Sequence, residues 1–106
     1  NEPPEDPTVV DKELETPFGL MVIRTSYGYI VIWEDSPDNH STGYRIYRED
    51  LIEDGEINKN IIREVIRGDY NKFVFIDKGT NPDMDYIYSI TAIDENYNES
   101  DPLKLK

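Results

Sequence analysis

Apolar and polar residues alternate along much of this chain, and the alternation is clearest from Tyr86 to Ile93. A period of two is typical of a β-strand, because successive side chains point to opposite faces of a sheet. One face of this stretch carries Tyr86, Tyr88, Ile90 and Ala92, and the other carries Ile87, Ser89, Thr91 and Ile93. We expect the first set to face a core, because its bulk narrows steadily along the strand.

Six further short stretches have strand patterns and are separated by turn residues such as Gly, Pro, Asn and Asp. They are Phe18–Arg24, Tyr29–Glu34, Gly43–Arg48, Ile61–Ile66, Phe73–Ile76 and Ser100–Lys106. Periodicity alone leaves Ile61–Ile66 open between strand and helix, and we interpret it as a strand because it is short and β-branched. Glu49–Asn60 is expected to be a long acidic connection. Seven short strands joined by turns predict an all-β, antiparallel β-sandwich.

The amino-terminal stretch has a different composition. Asn1 to Pro17 contains four prolines and six acidic residues and has few side chains to bury. We interpret residues 1–16 as an acidic, Pro-rich linker and residues 17–106 as one domain. A linker implies a further domain upstream, whereas a merely frayed terminus would not.

Charge and residue usage exclude several classes of function. The chain carries 23 acidic and 11 basic side chains, a net charge of -12, which repels nucleic acid and anionic membrane surfaces. It contains no cysteine, so disulfides, thiolate metal sites and a cysteine nucleophile are excluded. There is one histidine and no Ser/His/Asp set or Gly-rich phosphate loop. We therefore expect no enzyme, no catalytic residue, no cofactor and no metal.

Five short pieces, in the same order and at similar spacing, resemble a known family, the fibronectin type III module. They are Pro17-Phe18-Gly19-Leu20, Ile30-Val31-Ile32-Trp33, Gly43-Tyr44-Arg45-Ile46-Tyr47-Arg48, Phe75-Ile76-Asp77-Lys78-Gly79 and Tyr86 to Asp94, followed by Asn98-Glu99-Ser100. The resemblance covers residues 17–105 and implies a seven-stranded immunoglobulin-like sandwich. It places Trp33 in the core and makes Tyr86 the tyrosine corner that ties a loop to the sheet. The expected core residues are Trp33, Tyr44, Ile46, Phe75, Tyr86, Tyr88, Ile90 and Ala92.

The pieces are most similar to modules appended to secreted bacterial glycoside hydrolases, and this likeness implies a function. The chain would be a non-catalytic accessory module, a spacer or docking element, of a secreted or cell-surface multidomain bacterial protein that acts on carbohydrate. Its partner would be an adjacent domain of the same polypeptide. One alternative is a module that recognises glycan or protein through its loops, with aromatic candidates Tyr27, Tyr47, Tyr70 and Tyr97. Another is an adhesion or phage-structural repeat.

Two loop patterns suggest ligands but have simpler explanations. Arg67-Gly68-Asp69 matches the integrin-binding motif of one module of this family, yet here it lies in a tight turn before Phe73, where Gly and Asp are ordinary turn residues. The family fold would also bring oxygen ligands suited to calcium to one pole, namely Glu34, Asp35, Asp38, Asp69, Asp94, Glu95 and Glu99. Their spacing matches no calcium loop, so we favour solvated loops.

Alternation also predicts an apolar outer surface. If Val31 and Trp33 point inward, then Ile30 and Ile32 point outward, and the same argument applies to the neighbouring strands. The six outward residues are Met21, Ile23, Ile30, Ile32, Val74 and Ile76. A sheet facing water should alternate apolar with polar residues. We therefore predict that these six side chains form a docking face for an adjacent domain or a second copy. The alternatives are a bulge in one strand that turns some of them inward, or an amino-terminal stretch that folds back over them.

Overall fold

The computed structural model describes residues 14–51 and 55–105, and these residues form seven β-strands. The strands are β1 (Phe18–Thr25), β2 (Gly28–Glu34), β3 (Gly43–Leu51), β4 (Ile57–Ile66), β5 (Lys72–Asp77), β6 (Tyr86–Ile93) and β7 (Leu103–Lys104). The part of the chain that is described contains no α-helix, and so it has no helix long and apolar enough to cross a bilayer. The predicted all-β class is confirmed.

The strands form two antiparallel sheets. The first has three strands in the order β1-β2-β5, and the second has four in the order β4-β3-β6-β7. Every named pair is antiparallel. β4 pairs with β3 and not with a strand of the first sheet, so the first sheet has three strands and the second has four.

The core lies between the sheets and is rich in aromatic side chains. Trp33 of β2 is fully buried and lies 5.6 Å, centroid to centroid, from both Tyr44 of β3 and Phe73 of β5. Ile46, Tyr88, Ile90 and Ala92 complete the buried side of the second sheet. Phe75 and Tyr86 are half-buried and pack against this cluster. Burying a large aliphatic or aromatic side chain contributes roughly 1.5–3 kcal/mol, so these residues dominate the stability of a small domain.

The structure corrects the predicted connection between the third and fourth strands. Glu49, Asp50 and Leu51 still belong to β3, and they pair with Lys59, Asn58 and Ile57 of β4. The interpretation of Glu49–Asn60 as a long loop was therefore wrong. Most side chains at this end of the hairpin are solvent-exposed on both faces, so the strands carry no apolar alternation for the sequence to reveal. The seventh strand is also shorter than predicted, because only Leu103 and Lys104 pair with β6.

Tyr86 ties the loop before β6 to the sheet. Its hydroxyl accepts a hydrogen bond from the Asn81 backbone N–H at 2.7 Å, which agrees with the tyrosine-corner role expected of it. Its ring also stands edge-on to Tyr29, with centroids 5.7 Å apart. This corner fixes the loop at the same pole as the β1–β2 turn.

Most of the predicted linker, residues 1–13, lies outside the described residues. The remainder contacts the domain. Glu15 exchanges two hydrogen bonds with the Asn39 side chain, at 3.1 and 2.9 Å, and Pro17 is buried. Thr16 donates to the Asp101 carbonyl at 3.0 Å. The chain therefore enters β1 at the pole that holds the β2–β3 loop.

Candidate docking face

The outer surface of the three-stranded sheet carries the six apolar residues predicted to face outward. Strand register places them in two rows that cross the sheet. The rows are Ile23–Ile30–Ile76 and Met21–Ile32–Val74. Cross-strand neighbours on one face lie about 4.5–5.5 Å apart, so each row is a continuous strip of side chains. We call the surface formed by these six residues the apolar face.

The apolar face is open to solvent. Met21 is 54% exposed, Val74 64%, Ile76 48% and Ile23 40%. The two central residues, Ile30 and Ile32, are half-buried by their neighbours in the rows. A bulge lies between Phe18 and Met21, ahead of the rows, and it does not turn any of the six inward.

Opposite ends of the apolar face have different borders. At one end Phe18, Glu34 and Lys72 form the next row across the sheet. At the other end lies Gly28, with a φ of 141°. A Cβ at Gly28 would stand 2.1 Å from the Asp77 carbonyl oxygen, so only glycine lets β2 and β5 meet there.

The outer surface of the four-stranded sheet is more polar than the apolar face. Arg45 of β3 pairs with Glu64 of β4 at 2.8 Å, and Tyr47 donates a hydrogen bond to Glu99. Thr91 of β6 donates to the same carboxylate at 2.9 Å. Polar side chains thus cover the middle of this sheet, as expected for a sheet that faces water. The two outer surfaces differ, because the first is continuously apolar, whereas on the second the exposed Ile57 and Ile61 are interrupted by Lys59.

Contacts within this polar network shift the pKa values of Tyr47 and Glu99. Burial and the hydrogen bond to Glu99 raise the pKa of Tyr47. Burial also acts to raise the pKa of Glu99, but hydrogen bonds from Tyr47 and Thr91 and the charge of Arg45 outweigh it, so the pKa is lowered. The network therefore favours an ionised Glu99.

The Arg67-Gly68-Asp69 turn is structural. The Arg67 guanidinium is 8% exposed and donates to the backbone carbonyls of Ser36, Asn39 and Tyr70, at 2.8, 3.0 and 3.2 Å. It also donates to Ser41 Oγ at 2.8 Å and lies 3.6 Å from Asp35. An arginine bound in this way cannot extend toward an integrin, and the motif does not favour adhesion.

Asp35 is the centre of the same network. It is 1% exposed and accepts hydrogen bonds from Tyr44, Ser41, Asn39 and the Ser36 backbone N–H, at 2.7 to 2.9 Å. Burial and the hydrogen bond to Asp35 raise the pKa of Tyr44 well above its ordinary value. A buried carboxylate costs free energy unless it is hydrogen-bonded, and four donors bond to this one.

A second buried carboxylate lies at the other pole. Asp77 accepts hydrogen bonds from the Tyr88 hydroxyl at 2.6 Å and from Arg48 at 2.9 Å. Its second oxygen accepts the Gly79 backbone N–H at 3.2 Å. Burial and the bond to Asp77 raise the pKa of Tyr88. The sequence pattern did not single out Asp77, because a charge at a strand end usually faces solvent.

Three of the seven candidate calcium ligands are bonded to other groups of the chain. Asp35 is inside the Arg67 network, and Glu99 is bound by Tyr47 and Thr91. Asp94 closes its own loop by accepting from Asn96 and Asn98, and the Asn98 side chain lowers the pKa of Asp94. Among residues 14–51 and 55–105, no group of three or more His, Cys, Asp or Glu side chains is arranged to hold a metal ion.

The four candidate glycan-binding tyrosines do not all lie on one surface. Tyr27 lies in the turn between β1 and β2, whereas Tyr70 and Tyr97 lie in loops at the opposite pole. Tyr47 is half-buried on the outer side of β3 beneath Lys59. A sugar platform needs aromatic rings side by side, so the positions of these four rings do not favour glycan recognition.

No protein-family model matches this chain, and no curated protein matches its sequence. The case for function therefore rests on the apolar face and on the resemblance of the five sequence pieces.

Proposed function

We propose that this chain is a non-catalytic accessory module of the fibronectin type III class. It docks through its apolar face onto an adjacent domain of the same polypeptide. The single observation that carries the docking role is the contrast between the two outer surfaces, one continuously apolar and one in which polar side chains interrupt the exposed apolar residues. Exposed apolar patches of more than a few hundred Å² are unusual on free monomers and generally mark contacts.

The fibronectin type III assignment has two structural supports. β4 pairs with β3, whereas in constant-type immunoglobulin domains the fourth strand joins the sheet of the first two. Tyr86 also makes the corner hydrogen bond to Asn81 that this group of sandwiches uses. These two features support the fold assignment alone, and the proposal of an accessory module in a secreted, carbohydrate-active bacterial protein rests on the resemblance of the five sequence pieces.

A tethered neighbour fits the apolar face better than a second copy. Six partly exposed side chains fall short of the roughly 800 Å² per partner found in stable free complexes. A short linker raises the effective concentration of a neighbouring domain to about the millimolar range, so a smaller contact suffices. Two copies, each with a net charge of -12, would in addition repel one another.

The double variant Ile30→Thr/Ile32→Thr tests the docking role. Both side chains lie outside the core, and Thr is a good strand former, so we expect the thermal midpoint of the isolated chain to change little. In the natural polypeptide that carries this module beside its neighbour, we expect the same change to separate the unfolding transitions of the two domains. Scanning calorimetry of both proteins gives the comparison.

The matched control is Ile57→Thr/Ile61→Thr, which alters two exposed isoleucines on β4 of the other sheet. This control should leave the coupling between the domains intact. Coupling that survives Ile30→Thr/Ile32→Thr, or that disappears equally in the control, would contradict the proposed docking face.

A further inference from the structure

Two lysines border the apolar face at the opposite ends of one edge strand. Lys72 begins β5, and Lys78 directly follows its last residue, Asp77. Alternation puts Lys72 on the outer side together with Val74 and Ile76, and Lys78 has the same parity one position past the end of the strand. Lys78 borders Gly28, since a Cβ on that glycine would lie 3.2 Å from the Lys78 Cα. Five residues lie between the two lysines, so in an extended chain they are six steps, or about 20 Å, apart.

Both lysines differ from the other cations of the described chain. In residues 14–51 and 55–105, the remaining cations are held by the protein itself, in ion pairs or over aromatic rings. Arg45, Arg48, Arg67 and Lys104 pair with carboxylates, and Arg24, Lys59 and Arg63 lie over Tyr29, Tyr47 and Phe75. Lys72 and Lys78 are exposed, and within those ranges their side chains make no ion pair, hydrogen bond or ring contact. Among the described residues, the cations without such contacts therefore lie at the border of the apolar face.

This inference rests on the docking role proposed above. We propose that the neighbouring domain of the same polypeptide meets the apolar face with an apolar surface bordered by carboxylates, two of which lie opposite Lys72 and Lys78. Glu34 lies in the same row as Lys72 and is the acidic residue of that border, so its charge sets the orientation in which the neighbouring domain docks. Charges at the rim of an interface act mainly on the rate of association and on orientation, and apolar burial at the centre holds the complex.

Zero-length cross-linking of the natural polypeptide with a carbodiimide tests this arrangement. The reagent activates a carboxylate, and an amine in direct contact then forms an amide with loss of one water equivalent to the reagent. We expect mass spectrometry to find Lys72 and Lys78 joined to Asp or Glu of the neighbouring domain. Lys59, held over Tyr47 on the other sheet, is the matched control and should give no link to that domain.

Raising the salt concentration gives a second readout. Exposed pairs are screened over about 10 Å at 0.1 M salt and about 3 Å at 1 M. We expect the yield of both links to fall several-fold between these concentrations. The variants Lys72→Arg and Lys78→Arg keep the charge and remove the reactive amine, so each should abolish its own link while the domains stay coupled in calorimetry.

The outcomes separate this inference from the docking role. Links from Lys72 and Lys78 to the module's own carboxylates alone, in a polypeptide whose domains unfold as one unit, would overturn the charge arrangement and leave docking intact. Domains that unfold independently would overturn both. Links between isotopically light and heavy molecules would show that a second copy covers the apolar face, which also contradicts the proposal.

Discussion

Replacing Arg67 with Ala should destabilise the domain far more than any other change in the Arg67-Gly68-Asp69 turn. The guanidinium makes four hydrogen bonds and lies 3.6 Å from the buried Asp35 carboxylate. Removing one partner of a buried ion pair costs roughly 3–5 kcal/mol. Asp35 keeps its bonds from Tyr44, Ser41 and Asn39, which points to the lower end, about 3 kcal/mol.

Urea unfolding followed by fluorescence measures this loss, because the chain has a single tryptophan and Trp33 is fully buried. With a urea dependence of about 1–3 kcal/mol per molar, the midpoint should fall by at least roughly 1 M. Arg67→Lys should recover only part of the loss, since an ammonium cannot reproduce the planar set of donors.

Asp69→Ala is the matched control, because Asp69 is the other charged residue of the turn and is exposed. Surface substitutions of this kind usually stay within about 0.5 kcal/mol. Arg67→Ala with a midpoint within experimental error of the wild type would refute the structural role, and it would return the turn to consideration as a ligand motif.

Three further predictions concern stability. Trp33→Ala should cost about 3–5 kcal/mol through the void it leaves, and calorimetry should show a midpoint lowered by many degrees or no folded state. Because the pKa values of Tyr44 and Tyr88 are raised in the folded state, the unfolded chain loses these protons first, and stability should decline as pH rises above about 10. Urea midpoints measured between about pH 9 and 11 should show this decline, and the decline should be smaller in Tyr88→Phe. The lowered pKa of Asp94 adds stability above the unfolded value of about 3.9 that is lost as pH falls through its folded value, so urea midpoints in Asp94→Asn should depend less on pH below 4.

Alternation predicted which residues of a strand share a face, and the resemblance placed Trp33 on the inward face. With Trp33 inward, the period of two placed Ile30 and Ile32 outside. Such assignments need only local information, because a residue's face follows from its neighbours in the same strand.

Features that depend on distant contacts were not predictable in this way. Arg67 is buried because the β2–β3 loop, 26 to 31 residues earlier in the chain, folds over it and offers acceptors. The outer half of the β3–β4 hairpin is held by backbone pairing between polar side chains, so Glu49–Asn60 read as a loop. The position of the lysines was predictable, since Lys72 and Lys78 share the parity of Val74 and Ile76, but their lack of partners depends on the fold.

Oxidation of the two methionines tests the central claim most directly. Met21 is 54% exposed within the apolar face, and Met84 lies outside it in the loop before β6. Dilute peroxide converts an accessible methionine to its sulfoxide, and mass spectrometry reports each site separately. Met84 serves as an internal control within the same molecule.

The account predicts that in the isolated chain Met21 oxidises readily. In the natural polypeptide, with the neighbouring domain present, Met21 should oxidise at least roughly tenfold more slowly while Met84 keeps its rate, a ratio that corresponds to about 1.4 kcal/mol of coverage. Equal rates for Met21 in the isolated chain and in the polypeptide would contradict the proposal that a neighbouring domain covers the apolar face.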